Sequence, residues 1–173
     1  MQSIDLIRRL HEHRMWCNDL LRQAAAALDD RQLRQPFEMG RGSLWATLVH
    51  LYSAEHVWIE ALEGHASTAL TEADAFETFE ALCETWTALD QRWRKYLHAL
   101  TADQLDQPVR RVSTSSGAGR LWTTPAYDVL LHVCTHAQYT TAQAANMLRH
   151  LGVKPPDTQI ITLSRIEQGE QVR

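Results

Sequence analysis

Cysteine, glycine and proline are all scarce in these 173 residues: three Cys, seven Gly and five Pro. So few Gly and Pro exclude a fibrous or low-complexity chain. Cys17, Cys83 and Cys134 lie far apart and form no CxxC pair, and an odd count without an export signal reads as reduced thiols in the cytoplasm. The opening Met1-Gln-Ser-Ile-Asp5 has neither the charged nor the apolar region of a signal peptide. No run approaches the ~20 apolar residues that a membrane span needs. Basic charge is also short, with 17 Lys and Arg against 21 Asp and Glu for a net charge of −4. That balance lacks the basic footprint of a nucleic-acid binder. What is present is a 45% hydrophobic chain, enough to build a core for one domain of ordinary size.

The apolar residues recur with helical spacing. Ile7, Leu10, Cys17, Leu21, Ala24 and Leu28 form one stripe, broken only by Arg14, and Asp29-Asp30 ends that helix. The loop Gly40–Ser43 closes on a Ser suited to cap a second helix. Leu44, Leu48, Leu51, Trp58 and Leu62 continue it, Glu55 is its polar exception, and Gly64 stands at its end. A third helix is expected from near Thr71, striped by Phe76, Phe79, Cys83, Trp86, Trp93, Leu97 and Leu100, with Asp90 polar. Periodicity then fails from Asp103 to Thr123, where Val109 and Val112 support only a short extended piece around the loop Ser113–Gly119. Thr124-Pro125 opens a fourth helix as cap and first-turn proline, and Gly152 with Pro155-Pro156 stops it. The expected fold is therefore all-α, a four-helix bundle over residues 1–157 with a long loop between helices 3 and 4. An up-down-down-up order is one arrangement of such helices. Residues 158–173 read as a polar tail apart from Ile160, Ile161 and Leu163.

Nine histidines need an account. His11 and His13 point to different sides of a helix, while His65, His98 and His150 lie near helix ends, so solvated or end-capping roles are expected for all five. His132 and His136, at i and i+4, stack on one helix face, the geometry that lets two imidazoles reach one metal ion. His50 lies mid-helix, pointing toward other helices, and His56, six residues on, faces well away from it. The plainer reading is that these are hydrogen-bonded core histidines. There is no H-E-x-x-H and no Glu-x-x-His pair, which removes the zincin and di-iron carboxylate sites. Glu55 and Asp90 read either as hydrogen-bond partners of ligand imidazoles or as a core-edge ion pair with Arg14. The tryptophans read as packing.

Trp16-Cys-Asn18, the segment Gly42–Trp58 with Gly64, and Leu131-His-Val-Cys-Thr-His-Ala-Gln-Tyr139 through Leu148–Gly152 with Pro155-Pro156 together resemble the DinB family. The resemblance covers three of the four helices. It implies a four-helix bundle, often dimeric, with a divalent metal (Zn or Ni) held by three histidines, and a low-molecular-weight thiol as cosubstrate in related transferases and isomerases. His50 matches the ligand on the second helix and His136 the first on the last helix. The second position there is Thr140, where the family usually carries His, so His132 one turn upstream is the candidate third ligand. The expected function is then a metal-dependent transferase acting on small electrophiles through thiolate, with His50, His132 and His136 as metal ligands. The alternative is a non-catalytic stress-response or binding bundle with a degenerate site. A homodimer is expected from six tryptophans and a wide apolar surface.

Overall fold

The protein is mostly helical, and the structure, a computed structural model, describes residues 3–114 and 117–170. Ser115 and Ser116 of the expected loop, and 171–173 of the expected tail, lie outside the described residues. Helix α1 (Ser3–Ala25) buries Ile4, Ile7, His11, Arg14, Asn18, Leu21 and Ala25, a run of alternating three- and four-residue steps. This inner face lies beside the purely apolar stripe of Leu10, Cys17 and Ala24, and it carries three polar side chains, His11, Arg14 and Asn18, into the core. Asp29 does not end that helix. It caps a separate short helix, α2 (Asp30–Leu33), through a capping box with Gln32.

Helix α3 (Leu44–Leu62) starts where the sequence places it, with the Ser43 hydroxyl accepting from the Ala46 N–H. Thirteen of its nineteen residues are buried, which makes it the central element. The next helix, α4 (Phe79–Ala99), begins after Thr78 rather than near Thr71. Residues 65–78 cannot join it because their backbone is engaged elsewhere: Thr71 N–H donates to Ser53 Oγ at 2.6 Å, and the Ala73 carbonyl accepts from Trp45 Nε1 at 2.6 Å. Phe76 still packs, edge-on to Tyr52 with ring centres 5.4 Å apart.

The aperiodic stretch holds an antiparallel hairpin of β1 (Pro108–Val112) and β2 (Leu121–Pro125), with Arg111 opposite Trp122. Strand alternation turns Val109 and Arg111 inward together. Strand β1 lies against α3 and the last long helix, α5 (Ala126–His150). Thr124 and Pro125 belong to β2 and provide no side-chain cap. The first N–H groups of α5 donate instead to Gln107 and Leu105 carbonyls, both at 2.9 Å, so the hairpin's connection replaces the expected Thr cap. α1 packs on α5 and α4, and α3 packs on α5 and α4. Residues 160–167, expected in the tail, form helix α6 (Ile160–Glu167), which buries Thr162 and Leu163 and pairs Glu167 with Arg9 at 2.7 Å.

His11 and His13 are corrections to the reading of end-capping or solvated side chains. The His11 ring is fully buried, bonds the Leu130 carbonyl through Nε2 at 3.1 Å and lies 5.0 Å from the Trp93 ring. Burial, with the Arg14 charge, holds its pKa well below the usual value, so the neutral ring donates Nε2–H to that carbonyl. His13 Nε2 meets the Thr158 carbonyl at 2.8 Å. Arg14 does pair with Glu55, as the core ion-pair reading expects, while Asp90 pairs with Arg22 at 3.0 Å.

Candidate functional site

Because α3 and α5 pack along each other, His50 and His136 face across a helix pair. Their Nε2 atoms are 3.2 Å apart and their rings meet edge-on at 72°. His132, one turn before His136, lies against it with ring centres 5.9 Å apart and edge-on to Trp58 at 5.3 Å. No choice of one nitrogen from each of the three rings brings all three within 4.8 Å. The arrangement is a tight pair with a neighbour. Thr140 is no substitute, since its buried hydroxyl donates to the His136 carbonyl at 2.9 Å.

A residue absent from the sequence reading completes the pair. Arg41 Nη2 lies 2.9 Å from His50 Nδ1. A guanidinium only donates, so His50 Nδ1 accepts and its proton is assigned to Nε2, which then donates to His136 Nε2. Arg41 is set there by the loop Gly40–Ser43. Gly40 takes a left-handed φ of +56°, and a Cβ there would come within 2.9 Å of Met147 Cε. Burial, then Arg41 and His136, push the His50 pKa down to about 4, and burial lowers that of His136. Both rings are therefore uncharged at neutral pH, the form that ligates metal.

Two nitrogens on one tetrahedral ion with bonds of ~2.0–2.1 Å stand roughly 3.3–3.4 Å apart. The His50–His136 spacing of 3.2 Å fits such a pair. Binding an ion at His50 Nε2 displaces the proton from that atom and returns one to Nδ1, so Arg41 must turn away. The spacing of two donors thus fits an ion once Arg41 turns away, while His132 as it stands does not join them.

The histidines form part of the wall of a cavity of about 580 Å³ between α3, α5 and the hairpin. Val57, Trp58, Leu70 and Trp122 give it apolar surface, and Arg41 and Arg111 give it two cations. Trp58, read from its stripe as packing, therefore also borders the cavity. Arg111 escaped the sequence reading, although its spacing of two from Val109 on a strand is the signal that places both on one face. Cys17 and Cys134 line a different groove, against α6. Burial pushes both thiols up to about 12, so neither is a ready nucleophile.

Glu55 and Asp90 bond elsewhere: Glu55 accepts from Asn18 at 2.8 Å and from Trp86 at 3.4 Å. Among the described residues a second group could hold a metal ion, Glu60, Glu63 and His65, with one donor from each inside 4.8 Å. Arg92 already pairs with both carboxylates there. An ion would have to displace that guanidinium.

The chain is 27% identical over 158 residues to a protein from Bacillus subtilis (strain 168) named Protein DinB, covering 86% of this chain and 87% of that one. The family model described as DinB family matches residues 1–171. With nearly the whole chain matched, the protein belongs to the DinB family.

Proposed function

We propose that this protein is a four-helix-bundle metalloenzyme of α1, α3, α4 and α5, acting on a small electrophilic molecule with a low-molecular-weight thiol as cosubstrate. His50 and His136 hold the divalent ion, Zn or Ni, and His132 completes the set after rotation of its ring. The observation that carries this reading is the 3.2 Å approach of two uncharged imidazole nitrogens in a cavity wall. When bound, the ion supplies positive charge that favours a thiolate over a thiol.

The chain's own contribution is placement and exclusion. Among the described residues no cysteine lines the cavity, so the attacking sulfur comes from the cosubstrate. The thiol proton leaves to water, the sulfur forms a bond to the electrophilic carbon, and the leaving group departs with its electron pair. Val57, Trp58 and Trp122 cover the apolar part of the electrophile and keep water from it. Trp58, held against His132, also limits where that ring can turn.

The test is the metal content of protein purified without an affinity tag, for the parent, His136→Ala, His132→Ala and Glu60→Gln. Near-stoichiometric zinc or nickel in the parent, lost in His136→Ala and reduced in His132→Ala, supports the site. Unchanged metal in His132→Ala removes that residue from the ligand set. Loss in Glu60→Gln alone moves the ion to the other cluster. No metal in any of the four sinks the metalloenzyme reading in favour of a non-catalytic bundle.

A further inference from the structure

The cavity wall contains no Asp or Glu among the described residues, although acidic residues outnumber basic ones in the whole chain. It does contain two arginines with no carboxylate partner among the described residues. Arg111 is 6% exposed; Nη1 donates to the Ala66 carbonyl at 3.1 Å, and Nη2 is buried with no hydrogen-bond partner. Elsewhere in the core the buried arginines have counter-charges, Arg14 with Glu55 and Arg22 with Asp90. A guanidinium taken out of water without an anion is costly, and one kept at a cavity wall is matched to an anion that arrives from outside. Arg41 is the second cation of the wall; it is exposed, and its side chain meets the His50 ring nitrogens, weaker acceptors than a carboxylate.

We propose that this cavity recognises a carboxylate-bearing molecule with an apolar, ring-sized body, its carboxylate taken by Arg111 and Arg41 and its body by Trp58, Trp122, Val57 and Leu70. The assignment rests on the proposed function for calling the ligand a substrate, and on the wall alone for calling it an anion. The two arginines come from separate elements, strand β1 and the loop before α3, so they can approach one carboxylate from different sides. A carboxylate that draws Arg41 away also frees His50 Nδ1 to carry a proton, which the metal-binding form of that ring requires. Anion and metal ion therefore assist each other. Burial lowers the Arg111 pKa, in keeping with a cation that has no carboxylate partner among the described residues.

The probes are phenylacetate and its uncharged isostere phenylacetamide, titrated by calorimetry into EDTA-treated and zinc-loaded protein. The acid is expected to bind at least about tenfold tighter than the amide even without zinc. Arg111→Gln should abolish that preference, and Arg41→Gln should reduce it. Thermal unfolding checks that Arg111→Gln is folded; Arg41 is exposed, so Arg41→Gln tests the idea if the buried variant is not. Equal affinity for acid and amide overturns the proposal, as does no binding, or a preference that survives both substitutions. A preference seen only with zinc and indifferent to the arginines gives anion recognition to the ion, sinking this inference while sustaining the metal site. A preference kept by protein that never takes up zinc does the reverse.

Discussion

Two groups of buried polar side chains divide this protein between them, and they obey opposite rules. In the helix core, Arg14 faces Glu55, Arg22 faces Asp90, and Asn18, Trp86 and His11 bond to the carboxylate or carbonyl beside them. At the cavity, three histidines and two arginines share a wall that has no acidic residue among those described. The same residue types hold structure together where charges are paired and await a ligand where they are not. Asp90 shows that pairing does not erase the cost of burial. Burial and the nearby Glu55 charge push its pKa up to about 6 despite Arg14 and Arg22.

Removing an anion from the paired group should do the most damage. Glu55→Ala leaves Arg14 buried without a counter-charge, and a loss of about 3–5 kcal/mol is expected. Denaturant unfolding measures it, and a loss below about 1 kcal/mol would show that the core ion pair is not obligatory. Next is the pH dependence due to Asp90. Its folded pKa of about 6 lies above the unfolded value, so the folded state binds the proton more tightly. Its contribution is then most favourable at acidic pH and declines as pH rises from about 4 to about 6, by about 2–3 kcal/mol in all. Comparing denaturation midpoints of the parent and Asp90→Asn across that window isolates it; parallel profiles would contradict the shift. The smallest effect belongs to the unpaired group. Arg41→Ala removes the cation beside His50, and zinc affinity is expected to rise about tenfold, or about 1.4 kcal/mol. Competition with a chromophoric chelator reads it, and unchanged or weaker zinc binding would mean that Arg41 does not compete for the ring.

The long helices were legible because their apolar residues repeat at helical spacing and Ser43 caps α3 as its position suggests. The pairing of His50 with His136 was legible through motif resemblance, since spacing alone cannot bring helices together. The start of α4 was misread because Phe76 continues the apolar period while its neighbours' backbone groups bond to Ser53 and Trp45. His11 was misread because a helix has no marked inner face until its partners pack on it, and α5 supplied a carbonyl where solvent was expected.

By itself the sequence determined the four long helices in outline, that Arg14 and Glu55 interrupt apolar faces, and that His132 and His136 share one side of a helix. These are local matters of spacing, settled within a few turns of chain. Tertiary structure decided which cations are paired and which are not, because that depends on side chains brought together from distant segments. Arg41 reaches His50 through a left-handed Gly40, and Arg111 reaches the cavity through the alternation of a hairpin strand laid against α3 and α5. The spacing of two sets Arg111 on the face of Val109, but which face meets the cavity, like the approach of Arg41, follows only from how a strand and a loop pack across the helices.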